Sequence, residues 1–161
     1  MQCLASKILL LHSKSPGEAH QGWAWLTLAL ALALHITDEA LHDFLTGYNA
    51  TVLAMREKIA FLPLPTFSFE VWLSGLIFAV LLLLLLSPFA FSRARWLTRL
   101  SYPLGILMLA NGLQHLVGSL YFGKLLPGAY SSPLLIAASI YLLWAIRQPN
   151  RNQRNIALNK D

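Results

Sequence analysis

Val71-Trp72-Leu73-Ser74-Gly75-Leu76-Ile77-Phe78-Ala79-Val80-Leu81-Leu82-Leu83-Leu84-Leu85-Leu86 carries no charge and ends in six consecutive leucines. Extended back to Phe67, the stretch gains one ionisable residue, Glu70. A helix of ~20 residues covers ~30 Å of hydrocarbon at ~1.5 Å rise per residue, so this segment reads as a membrane span. The whole chain fits that setting. Of its 161 residues 57% are hydrophobic and 12% charged, against roughly 25% charged in an ordinary soluble domain. That is more apolar surface than a globule of this size buries. The lone cysteine, Cys3, excludes an internal disulfide and says little about redox compartment. A net charge of +5 suits nucleic acid, but the arginines flank the apolar segments, as membrane orientation requires. The expected partner is therefore the lipid bilayer, with no nucleic acid.

Four apolar segments emerge on working outward: Trp23 to about Ala40, Phe67 to Phe91, Tyr102 to Tyr121, and Leu125 to Ile146. The expected fold is all-α, an integral membrane bundle of four transmembrane helices. Residues 1–21 form an N-terminal tail, 22–147 the membrane domain and 148–161 a basic C-terminal tail. Pro63 and Pro65 should break helix ahead of the second span, and Ser87-Pro88 should end or kink it. Residues 48–62, with Arg56, Glu57 and Lys58, read either as a short interfacial helix or as a solvated loop. The first segment has a rival reading as a signal peptide, with basic Lys7 and Lys14, an apolar core at Trp23–Leu34 and small residues Ala31 and Ala33 near its end.

Alternate loops carry unequal positive charge. Lys7, Lys14, Arg93, Arg95, Arg99, Arg147, Arg151, Arg154 and Lys160 fall on one side, and Arg56, Lys58 and Lys124 on the other. The excess of Lys and Arg marks the cytoplasmic side, so both termini are expected there, in a multi-pass protein of the plasma or inner membrane. The sequon Asn49-Ala50-Thr51 then lies outside, where it matters in a glycosylating host. Orientation also fixes depth. His35 is ~20 Å along the first helix, and Asn111 and His115 are ~15 Å and ~21 Å along the third, which runs the same way. Glu70 and the segment Pro127–Ser132 belong to the outer ends of the other two. Polar groups from all four helices thus converge in the outer half of the bilayer.

The densest group is His35-Ile36-Thr37-Asp38-Glu39-Ala40-Leu41-His42-Asp43. If residues 23–45 form one helix, positions 35, 38, 39 and 42 share a face. A carboxylate at membrane depth costs on the order of 2.5–3.5 kcal/mol on insertion scales, so it faces a partner, a cavity or a cofactor. Imidazole with carboxylate can bind zinc or non-haem iron, with His35, Glu39 and His115 as the candidate ligands. The spacing differs from the His-Glu-x-x-His of zinc proteases, and no metal or other cofactor is named by it. Without metal, the same groups do acid/base chemistry in a dry cavity. Candidate catalytic residues are Glu39, His115, His35, Asp38 and Asn111, with Glu70 and Ser131 as substrate-binding candidates. The plainer readings put His42 and Asp43 at the headgroups and make Asn111, Gln114 and His115 interhelical hydrogen-bonders. They make Glu70 a solvated carboxylate favoured by the helix dipole. The five tryptophans read as interface anchors.

His35-x-x-Asp38-Glu39, Asn111-x-x-x-His115 and Pro127-Gly128-x-x-Ser131, in that order over roughly residues 20–147, resemble the HXXEE-motif domain of small bacterial and archaeal membrane proteins. Asp38 stands where the family motif has a first glutamate, and Ser131 where it has threonine; carboxylate and hydroxyl are kept, with shorter reach. The resemblance implies a shared membrane site and no particular reaction. The leading expectation is a membrane-embedded enzyme on a lipophilic substrate, with Glu39 and His115 as acid/base or metal-binding groups, His35 as their partner and Asn111 orienting. The alternatives are a proton- or ion-coupled transport component, which four short helices would require to be a homo-oligomer, and a helical scaffold or accessory subunit.

Overall fold

A computed structural model describes residues 16–148 apart from 60 and 62. The tail residues Cys3, Lys7, Lys14, Arg151, Arg154 and Lys160 lie outside them. The described residues form six helices and no strand: α1 (Pro16–Leu41), α2 (Phe44–Lys58), α3 (Phe69–Leu85), α4 (Ser87–Phe91), α5 (Arg95–Phe122) and α6 (Ser132–Ala145). His20–Leu41 and Arg95–Phe122 are long and apolar enough to cross a membrane; Phe69–Leu85 and Ser132–Ala145 are apolar but shorter.

Helix α1 is the centre of the bundle. It packs against α6 and against the broken pair α3 and α4, while α5 reaches the core mainly by packing along α6. Its Trp25, Leu28, Leu32 and Ile36, spaced three or four apart, turn one stripe inward onto Leu97 of α5 and Leu135, Ala138 and Leu142 of α6. Small residues let α5 and α6 approach. A Cβ at Gly112 would stand 2.8 Å from Ile136 Cγ1 and 3.2 Å from the Ser132 carbonyl oxygen, the close backbone contact that membrane helices favour. Away from this core, large apolar side chains face outward, among them Phe78 (66% exposed), Leu85 (72%) and Leu120 (82%).

The element boundaries depart from the sequence reading in four places, each with a local cause. The first helix stops at Leu41 because Asp43 takes a left-handed conformation (φ 56°), so residues 23–45 are not one helix. Residues 44–58 are helical, and the non-helical stretch at residues 64–67 is tied to that helix. Asn49 donates to Phe67 O (2.9 Å) and accepts from Phe67 N (3.1 Å), Tyr48 donates to Pro65 O (3.1 Å), and Arg56 donates to Leu64 O. The solvated-loop reading is thereby corrected, and the sequon amide is already engaged. Third, α5 begins at Arg95, before Tyr102, because Leu97 is buried while Arg95 and Arg99 stay exposed, an amphipathic extension of the apolar segment. Last, α6 begins at Ser132 and not near Leu125. Gly128 (φ 83°) turns the chain just before it, and Pro133 suits the first turn. The break at Ser87-Pro88 falls where expected, between α3 and α4.

At the end of the bundle remote from His35 and His115, Arg93 gathers the chain. It donates to Gln21 Oε1 (3.2 Å), Ile146 O (3.2 Å) and Gln148 O (2.8 Å), so a cation caps the carbonyl end of α6. Gln21 in turn donates to Thr98 Oγ1 at 3.0 Å.

Candidate functional site

Helix α1 carries His35, Asp38 and Glu39 on its inner face, and α5 brings His115 to the same level; all four are buried. Glu39 Oε1 lies 3.1 Å from His115 Nε2 and 3.6 Å from His35 Nε2. The two imidazoles meet edge to face with centroids 4.9 Å apart. Among the described residues no lysine or arginine pairs with Glu39 or Asp38; the ionisable side chains paired with them are imidazoles.

Ser131, at the N-terminus of α6, joins the two carboxylate neighbourhoods. Its backbone N–H donates to Asp38 Oδ2 (2.9 Å), its hydroxyl donates to the same oxygen (2.7 Å), and His35 Nδ1 sits 2.9 Å from that hydroxyl. A serine hydroxyl has one proton. Donated to Asp38, it leaves Ser131 Oγ as acceptor, so His35 carries its proton on Nδ1. In the neutral ring Nε2 then has the lone pair, and it is directed at Glu39. Asp38 Oδ1 is approached by His42 Nδ1 at 2.8 Å, and the half-exposed His42 ring stacks on Tyr130 at 5.2 Å. Gly128 closes the other side. A Cβ there would stand 2.9 Å from His115 Cε1 and Nδ1 and 3.0 Å from His35 Cε1.

Beside the cluster is a cavity of about 320 Å³ with His115 in its wall, lined otherwise by Phe44, Tyr48, Phe122, Leu126 and Pro127 among others. A second cavity of about 340 Å³, between α1 and α3, is lined by Ile36, Leu73, Ile77 and Val80 and has no ionisable side chain in its wall. Of these two, the first has a residue of the polar cluster in its wall.

The site thus unites His35, Asp38, Glu39, His115 and Ser131. Two sequence candidates fall outside it. Asn111 accepts from Gln114 Nε2 on its own helix (3.3 Å) and has no bond to the cluster. Its amide oxygen is engaged locally, one turn away. Glu70 is exposed in the first turn of α3, where Ser68 caps the helix, the setting of a dipole-favoured carboxylate. Sequence reasoning missed the parts played by Gly128 and by Phe44, whose ring packs 5.5 Å from that of His115. A Pro-Gly pair before a serine cap and the i, i+4 aromatics Phe44 and Tyr48 were the available signals. No family model, curated protein or solved structure matches the chain. The chemistry open to the site is that of one carboxylate between two imidazoles: proton transfer, or ligation of a metal through two nitrogens and an oxygen.

Proposed function

We propose that this chain is a four-span integral membrane protein of the plasma or inner membrane, with both termini cytoplasmic. In this reading it is an enzyme that acts on a lipophilic substrate at Glu39, His115 and His35 in the outer half of the bilayer. The observation that carries the reading is the Glu39–His115 contact at 3.1 Å, buried without a lysine or arginine partner, in a protein whose His115 also forms the wall of an apolar cavity of about 320 Å³. That volume is at the lower end of small-molecule sites. An apolar body fits among Phe44, Phe122 and Leu126, with its polar group toward His115. The outward-facing apolar belt supports burial in lipid, since soluble monomers rarely expose apolar patches beyond a few hundred Å². The ordered motifs support kinship with HXXEE-motif membrane proteins.

The test compares membranes of cells making wild type and Glu39→Gln in equal amounts. Extracted lipids should differ by at least one lipophilic species, changed by wild type alone. Glu39→Gln should still insert and purify, and with both proteins stripped by chelator should melt in detergent at the wild-type temperature or above, because the neutral amide relieves the cost of a carboxylate in low dielectric. Breaking a structural buried pair costs ~3–5 kcal/mol. A sharp fall in melting temperature for both Glu39→Gln and His115→Ala, with no lipid change caused by wild type, would make the cluster a scaffold. A proton flux in wild-type liposomes that Glu39→Gln abolishes, again without lipid change, would move the protein to the transport class.

A further inference from the structure

The tautomer of His35 exposes a conflict at the centre of the cluster. Ser131 Oγ accepts from His35 Nδ1–H, so in the neutral ring the Nε2 lone pair faces a Glu39 carboxylate oxygen at 3.6 Å. His115 Nε2 faces the same oxygen at 3.1 Å. Both Nε2 atoms are buried and lack a hydrogen-bond partner. With neutral imidazoles that present their Nε2 lone pairs, three electron-rich atoms converge here, and one cation placed between them would satisfy all three.

We infer that His35 Nε2, the Glu39 carboxylate and His115 Nε2 bind one divalent first-row transition-metal ion, with zinc the best match. Zinc takes imidazole nitrogen at ~2.0–2.1 Å and carboxylate oxygen at ~2.0–2.2 Å, which puts neighbouring donors of a tetrahedral site roughly 3.3 Å apart. The two measured separations, 3.1 and 3.6 Å, bracket that value, and the donor atoms of all three residues lie within 4.8 Å of one another. Two imidazoles and a carboxylate select zinc or iron(II) over magnesium or calcium, which prefer oxygen donors throughout. The supporting shell has the form such sites use. Asp38 holds Ser131, Ser131 holds His35 Nδ1, and the free nitrogen is thereby oriented inward. Three protein ligands leave a coordination position for water or a substrate oxygen, the arrangement of catalytic rather than structural zinc. Binding of the ion stands on this geometry alone and does not depend on the enzymatic reading above.

The experiment uses the full chain, purified in detergent through a tag without histidine, stripped with chelator and titrated with Co²⁺. Wild type should take up one Co²⁺ per chain with the visible bands of four-coordinate cobalt, and Zn²⁺ should displace it. Ser131→Ala, which removes the hydroxyl that orients His35 and donates to Asp38, should weaken affinity by ~10–100-fold. His35→Ala and His115→Ala should abolish the bands, whereas His42→Ala, outside the ligand set, should leave them unchanged. Should either alanine variant fail to fold, His115→Cys serves instead and should add a thiolate-to-cobalt charge-transfer band. The site is overturned if folded wild-type protein binds no stoichiometric Co²⁺ or Zn²⁺, or if full binding survives the folded His35→Ala and His115→Ala variants. It is overturned too if bound cobalt in His115→Cys shows no sulfur band.

Discussion

At the scale of single residues, Gly128 is constrained twice over, by its backbone and by its neighbours. Its φ of 83° is one that side-chain-bearing residues adopt at a cost of ~1–2 kcal/mol. An added Cβ would also stand 2.9–3.0 Å from both imidazoles, and overpacking typically adds ~1–3 kcal/mol. Gly128→Ala should therefore lower stability by about 2–5 kcal/mol, read as a fall in detergent melting temperature. Gly47→Ala is the matched control: it sits within α2 with nothing inside 4 Å of the new Cβ. That change should be neutral or stabilising, by up to ~1 kcal/mol of helix propensity. Equal destabilisation of the two variants would contradict the tight Gly128 contact. His35, Asp38, Glu39 and His115 were legible before any coordinates because ionisable groups in apolar helices have few tolerable environments. Asn111 and Glu70 stand apart from that cluster for the converse reason. An amide can satisfy itself on its own helix, and a carboxylate at a helix start is stable in the open, so depth along the axis did not decide their company.

Between elements, Asp38 joins α1 to the start of α6. One of its carboxylate oxygens accepts both the backbone N–H and the hydroxyl of Ser131, the N-cap residue of α6. Hydrogen bonds to a charged group contribute ~1.5–3 kcal/mol each, so Asp38→Ala should cost about 3 kcal/mol. It should also raise the reactivity of a cysteine placed at Ser132, which is fully buried in the native fold. An Asp38→Ala protein that melts like wild type, with Ser132→Cys still protected, would mean that helix packing alone seats α6. The sequence located helix interiors better than their ends. Interiors follow from apolar periodicity, visible in Trp25, Leu28, Leu32 and Ile36. Ends depend on single backbone conformations, such as left-handed Asp43 and Gly128, and on tertiary partners. The ties from Tyr48, Asn49 and Arg56 to residues 64–67 make a helix and its flank of what composition alone left undecided.

For the whole molecule, the proposed topology has to accommodate α6, whose 14 residues extend only ~21 Å at 1.5 Å per residue, short of ~30 Å of hydrocarbon. Irregular backbone is tolerated at membrane depth where protein covers it. Gly128 and Ala129, in the turn before α6, are buried, and the N-terminus of the helix opens on the His–Glu cluster. In the four-span reading α6 is therefore a half-length span, completed outward by the covered turn and inward by Arg93, which caps its carbonyl end. Basic residues divide nine to three across the two sides of this arrangement, a bias that sets orientation. Reporters active only in the cytoplasm should accordingly work at either terminus and fail when inserted between α2 and α3. Opposite signals from the two termini would require an odd number of spans. Helices α1 and α5 would then no longer have to run the same way through the bilayer, and His35 and His115, though adjacent in the fold, would lose the shared depth that places a lipophilic substrate beside them.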